Sequence, residues 1–189
     1  MDKIALLIID MQKDFVLQDA PWCIAGAHAT IPIIKKILNV FREKKLPVFH
    51  IIRHYREDGS DVELPRRERF LAGTKIVVPG TEGAEVVDEL APEDREYVVV
   101  KQRYSAFFMT ELVLLLTRLG IETVVITGTQ DPNCVRATAY DAISYDYKVT
   151  LISDATSSAT DEIHRQNLRD IAGIGVKLMT SDQLIKDLS

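Results

Sequence analysis

The sequence predicts an α/β protein, a doubly wound and mostly parallel six-stranded sheet with helices on both faces, in a three-layer α/β/α arrangement of Rossmann-like type. Three observations predict it. Six short runs, Ile4 to Ile9, Val48 to Ile52, Tyr97 to Val100, Val124 to Thr127, Val149 to Ile152 and Val176 to Met179, are rich in Val and Ile and lack polar alternation. Strands covered on both faces read this way. Helical patterns lie between most of the runs, and the connections are short, so right-handed crossovers joining parallel strands are the economical topology. With 189 residues, 47% of them hydrophobic and 27% charged, the chain matches a single globular domain, expected over residues 1–189.

The elements follow in order. After the first strand, Ile33, Ile34, Ile37, Leu38 and Phe41 recur at helical spacing up to the break at Lys44-Lys45-Leu46-Pro47. The second strand leads into a long, charged and weakly periodic stretch from Arg53 to Gly80. Loops of that length in compact domains are commonly functional or part of a subunit contact, and a solvated surface excursion is the bland alternative. After the third strand, Thr110 to Leu119 reads as a helix with a hydroxyl at its start and Gly120 just past its end. Val135, Ala139, Ala142 and Ile143 form an apolar stripe after the fourth strand. A helix from Thr160 to about Ala172 follows the fifth, and a short helix near Ser181 closes the chain. No internal repeat, low-complexity tract or linker interrupts this order.

Charge and cysteine content exclude several function classes. The 23 basic and 28 acidic side chains give a net charge of −5, which argues against a nucleic-acid partner. Two cysteines, Cys23 and Cys134, cannot build a multi-bridge scaffold, so a reducing, cytoplasmic setting is expected. The apolar N-terminal run is too short to span a membrane, and no membrane partner is expected.

In open α/β sheets, ligands bind beyond the carboxyl ends of the strands. Asp10 ends the first run in LLIIDMQKDF, Lys101 ends the third in YVVVKQRYSAFF, and Cys134 follows the fourth in VVITGTQDPNCVRATAYDA. Parallel strands bring all three to one edge. Asp131 before Pro132 reads as an N-cap with proline at the first helical position. Cys134 then sits in the first turn, where free amides and the helix dipole favour a thiolate, as would a nearby Lys101 ammonium. Gly128 and the following turn expose amides suited to an oxyanion. Taken singly, a buried thiol, a turn-forming Asp and a solvent-facing Lys are the ordinary readings. Cys23, in DAPWCIAG, keeps that reading. The joint occurrence of acid, cation and helix-start thiol is harder to explain that way.

These segments, with the later ISDATSSAT, resemble the isochorismatase-like family of cysteine hydrolases, which includes nicotinamidases, N-carbamoylsarcosine amidase and ureidoacrylate amidase. The resemblance covers essentially the whole chain. It implies a catalytic triad of Asp10, Lys101 and Cys134, a non-proline cis peptide between Gln130 and Asp131, and an oxyanion hole from the amides of Gln130 and Cys134. Gln12, Phe15, Arg103, Tyr104 and Phe107 would line the pocket, with Arg103 available for a bidentate carboxylate contact or a structural ion pair. A homo-oligomer is implied, with the Arg53 to Gly80 stretch and the Trp22 region as contact or lid elements.

The sequence departs from the family pattern in two places. Asp131 stands where threonine is common. The region HIIRHYREDGSD lacks the Asp-x-His of metal-binding nicotinamidases, so no metal or other cofactor is expected. His50 reads as a packed core residue and His54 as a loop residue.

Because Cys134 is present, the resemblance implies hydrolysis of a C–N bond rather than vinyl-ether cleavage. A small planar amide, as in nicotinamidases, is the first substrate class, and a carbamoyl or ureido compound the second. Three alternatives stand beside it. A nucleotide-dependent oxidoreductase would need a Gly-x-Gly-x-x-Gly turn where Asp10-Met11-Gln12-Lys13-Asp14 stands. A non-catalytic binding member of the fold draws support from Asp131. A redox sensor requires Cys23 and Cys134 within bonding reach.

Overall fold

The computed structural model describes residues 3–189. Six strands form one sheet in the order β3-β2-β1-β4-β5-β6, and every neighbouring pair is parallel. They are β1 (Ile4–Ile9), β2 (Val48–Arg53), β3 (Tyr97–Lys101), β4 (Thr123–Thr129), β5 (Lys148–Ser157) and β6 (Lys177–Met179). The chain steps outward from β1 through β2 to β3, then crosses to β4 on the other side of β1. That reversal opens a crevice beyond the carboxyl ends of β1 and β4. β5 runs five residues past the predicted end at Ile152, because a register irregularity between Ile126 and Gly128 lets pairing resume at Thr156 and Ser157.

Each face of the sheet has its own core. Leu6 and Ile8 of β1 point toward α2 (Ala27–Glu43), where Ile31, Ile34, Ile37, Leu38 and Phe41 bury a stripe of helical period, and toward Leu184 of α7 (Ser181–Leu188). Ala5, Leu7 and Ile9 point the other way. They meet Leu112 and Leu116 of α4 (Leu112–Arg118), Ala139 and Ala142 of α5 (Arg136–Ser144) and Ile171 of α6 (Asp161–Gly173). β1 is thus apolar on both faces, which is why its sequence shows no alternation. The remaining short helix, α1 (Lys13–Val16), follows β1 directly.

Two local devices shape the sheet edge. Gly128 has φ +103°, and a Cβ there would lie 2.1 Å from the Ile9 carbonyl oxygen. Only glycine lets β4 approach the residue that precedes Asp10 so closely. On the α2 side, His50 is buried and bonds through Nε2 to Glu96 at 2.8 Å, while Arg42 donates to the same carboxylate. Burial lowers the His50 pKa, which favours the neutral ring donating Nε2–H. Burial alone would raise the Glu96 carboxyl, yet hydrogen bonds from Arg42, the Glu93 amide and His50 hold it at about 2. His50 is therefore a core residue, and His54 lies in the loop after β2.

The charged stretch after Arg53 contains α3 (Leu64–Leu71), with a proline in its first turn. Phe70 is its one buried residue, so helical periodicity in the sequence is faint.

Candidate active site

β1, β2 and β3 end at the same edge. Arg53 and Lys101 are register partners, and Ile9 pairs with Ile51 and Gly128, so the strand ends deliver Asp10, Arg53 and Lys101 to one place. Lys101, fully buried, donates from Nζ to Asp10 Oδ2 at 2.8 Å and to the Arg103 carbonyl at 3.3 Å. Asp10 leaves the strand with φ +50°, a conformation that Asp tolerates better than most residues. Its other oxygen, Oδ1, is buried without a hydrogen-bond partner among the described residues.

Cys134 lies in a π-helical turn, Asp131–Val135, that leads into α5. Its carbonyl accepts a hydrogen bond from the Thr138 hydroxyl at 2.6 Å, and its sulfur receives one from Arg53 Nη2 at 3.3 Å. The cis peptide of this turn joins Thr129 to Gln130, one bond earlier than expected. Asp10, Thr129, Gln130 and Cys134 share the wall of a cavity of about 380 Å³. The opposite wall comes from Phe15, from the Pro21–Ile24 loop and from Pro65, Arg66 and Arg69 of α3. The charged stretch after β2 is thus a cavity wall within this chain.

Other expected pocket residues lie elsewhere. Gln12 is buried and spent on backbone: Nε2 donates to the Arg53 and Ala84 carbonyls at 2.8 Å, and Oε1 accepts from the Arg53 amide at 2.7 Å. Arg103 donates to the Asp61 carbonyl at 2.7 Å and offers its own carbonyl to Lys101 and Arg53. Phe107 packs against Tyr145 and Tyr147 in the core beside α5. Tyr104 supports the site from behind, its ring centroid 5.8 Å from the Arg53 guanidinium and 5.1 Å from that of Arg66. Of these five residues, Phe15 alone lines the cavity.

Arg53, Trp22, Arg66 and Arg69 were not singled out as site residues from the sequence. Arg53 carries a signal that could have found it, since it is a charged residue ending an apolar strand, as Asp10 and Lys101 are. The indole of Trp22 lies 4.2 Å from the guanidinium group of Arg69 and 5.5 Å from that of Arg66. Arg69 also ties α3 to the Pro21 carbonyl at 2.9 Å. Cys23, expected to be an ordinary thiol, lines the same cavity. Among the described residues no group of three or more His, Cys, Asp or Glu side chains converges as metal ligands would.

Asp131 does not cap the turn. Gln130 occupies the N-cap position, and the fully buried Asp131 carboxylate accepts from Ser158 Oγ and from His164 Nδ1, each at 2.7 Å. It pins the turn that carries Cys134 to the end of β5 and to α6 from outside the cavity. Burial raises its pKa against the hydrogen bonds from His164 and Ser158. The folded chain therefore holds this proton more tightly than the unfolded chain, and the Asp131 contribution to stability is lost as pH rises through the folded-state value. Asp131→Asn keeps an acceptor and removes the buried charge. It should be more stable than the parent at pH 7 by about 1–2 kcal/mol, with the gap closing toward pH 4. Thermal unfolding at the two pH values checks this, and a less stable variant with a pH-independent gap would refute it.

The family model for the isochorismatase domain matches residues 4–183. The chain belongs to the isochorismatase family, and its site is that of a hydrolase of this family. A protein of Arabidopsis thaliana named as a probable inactive nicotinamidase is 41% identical, over 98% of this chain and 96% of that one. A crystal structure of an isochorismatase family protein from Desulfovibrio vulgaris superposes with a TM-score of 0.95 at 43% identity, covering 100% of this chain and 99% of the other. Maleamate amidohydrolase of Pseudomonas putida is 31% identical over 89% of this chain and 79% of its own length. No helix among the described residues is long and apolar enough to cross a membrane.

Proposed function

We propose that the protein hydrolyses the C–N bond of a small amide or ureido compound through a thioester on Cys134, with Asp10 as acid–base and Lys101 holding Asp10 in place. The observation that carries this reading is one cavity lined by both Cys134 and Asp10, the latter with a buried free oxygen and its second oxygen fixed by a buried lysine. A positioned acceptor that shares a cavity with a thiol supports nucleophilic catalysis.

Asp10 takes the Cys134 proton, and the sulfur lone pair forms a bond to the substrate carbonyl carbon as the carbonyl π pair moves onto oxygen. The amides of Gln130 and Cys134 are assigned to that oxyanion. As the carbonyl re-forms, the C–N bond breaks and Asp10 returns the proton to the departing amine. Water then gives a proton to Asp10 and its oxygen to the thioester carbon. Collapse expels the thiolate, which regains a proton, and frees the acid.

The charge of the wall points to the substrate. Asp10 is compensated by Lys101, whereas Arg66 and Arg69 face the same cavity. Two guanidinium groups favour an amide that also bears a carboxylate. The name of the Pseudomonas relative agrees with this. On the charge of the wall, a half-amide of a dicarboxylic acid or a ureido acid is placed ahead of the neutral planar amide expected first from the sequence. Ammonia release from a panel of neutral amides, half-amides and ureido acids tests the reading. Turnover of the acidic members is expected, and a preference for neutral amides would overturn the substrate class.

A further inference from the structure

We propose that Arg53 is a further catalytic residue, the cation that holds the Cys134 sulfur as a thiolate before attack and receives it again when the thioester collapses. The inference rests on the hydrolytic reading above. Arg53 is fully buried at the end of β2, and Nη2 donates to Cys134 Sγ at 3.3 Å. Four other acceptors fix its fork: the Tyr55 hydroxyl at 2.8 Å, the Glu63 carboxylate, and the carbonyls of Gln102 at 3.1 Å and Arg103 at 2.9 Å, and the Tyr104 ring lies against it with its centroid at 5.8 Å. A guanidinium held this way cannot swing away from the sulfur. A neutral thiol accepts hydrogen bonds weakly, whereas a thiolate accepts them strongly, so the contact gains strength only in the reactive form.

Charge balance points the same way. The groups around the sulfur are Asp10 from β1, Arg53 and Tyr55 from β2 and the turn after it, Glu63 and Arg66 at the start of α3, and Lys101 from β3. Lys101 pairs with Asp10 and Arg53 with Glu63, which leaves Arg66 and Arg69 of the cavity wall as surplus positive charges. A thiolate at Cys134 offsets part of that surplus, and a thiol offsets none. Because Lys101 is spent on Asp10 and on the Arg103 carbonyl, the cation hydrogen-bonded to the sulfur is Arg53.

The test reads carboxamidomethylation of Cys134 by iodoacetamide from pH 6 to 10, in the intact protein, with peptide mass spectrometry separating Cys134 from Cys23. Arg53→Met combined with Glu63→Gln removes the ion pair as a unit and avoids stranding a buried carboxylate. At pH 7 it should alkylate Cys134 at least about tenfold more slowly than the parent, with the rates converging near pH 10. Glu63→Gln alone leaves Arg53 without its competing anion, and should alkylate about threefold faster than the parent at pH 6. Should the double variant fail to fold, the single variant decides, since an unchanged or slower rate overturns the proposal. Equal rates for parent and double variant at pH 7 overturn it as well. That result would leave the hydrolytic reading intact, which Cys134→Ala tests separately: retained hydrolysis of the acidic amides by that variant would overturn it.

Discussion

Cys134→Ala is expected to lose hydrolysis of every amide the parent cleaves, by on the order of 10⁴-fold or more, because no second step remains when the acyl group has no acceptor. The loss should appear in kcat. Arg66, Arg69 and Trp22 stay in place to bind substrate, so the variant should still take up the acid amide with an affinity close to the parent KM. Folding should be little affected, since the side chain is small and the turn is held independently by Asp131 and Thr138. Ammonia release and calorimetric binding, measured on one preparation, separate the two effects. Retained turnover would refute the nucleophile, and lost binding would place Cys134 in recognition instead.

Lys101→Met is expected to damage both stability and turnover. Lys101 and Asp10 form a buried ion pair at 2.8 Å, and removing one partner leaves the other charge without compensation, at a cost of about 3–5 kcal/mol. Turnover should fall by about 10³-fold, because Asp10 loses the contact that aims it. Asp10→Asn with Lys101→Met distinguishes the roles. Removing both charges should recover most of the stability and none of the activity. If the double variant were as unstable as the single one, the pair would not be the source of the loss; normal hydrolysis by Lys101→Met would refute the aiming role of Lys101, and normal hydrolysis by the double variant would show that Asp10 is not the acid–base. Chemical denaturation and ammonia release provide the readouts.

The parts of the fold and site that were legible in the sequence are those governed by local pattern. β1 reads correctly from Ile4 to Ile9 because both of its faces are buried, and Asp10 and Lys101 follow from the rule that strand ends face the ligand. Arg53 obeys the same rule and was passed over because it also begins a charged stretch, where one more arginine carries no contrast. α3 was hidden for a related reason: a helix with a single buried residue leaves little period to read. Asp131 shows the limit of capping rules. Its position before Pro132 fits an N-cap, but Ser158 and His164, brought over it by β5 and α6, claim the carboxylate first. Gln12 and Phe107 were drawn away in the same manner, one by unsatisfied backbone at the end of β2 and the other by aromatic neighbours from α5 and the following turn. Distant contacts of this kind leave no mark on local sequence.

Cys23 illustrates a different point. Composition and context gave it no distinction from any small buried thiol, and its place in the cavity wall follows from the loop after α1 folding back under α3, held by the Arg69 contact to Pro21. Both thiols of the chain therefore line the same cavity, and any labelling experiment has to resolve one from the other.

Acid-quench mass spectrometry of the protein during turnover of an acidic amide looks for the covalent acyl intermediate on Cys134. An added mass equal to the acyl group is expected, confined to the peptide that carries Cys134 and absent from Cys134→Ala. Continued turnover with no such adduct at any quench time, or an adduct carried by Cys23 instead, would contradict such an intermediate.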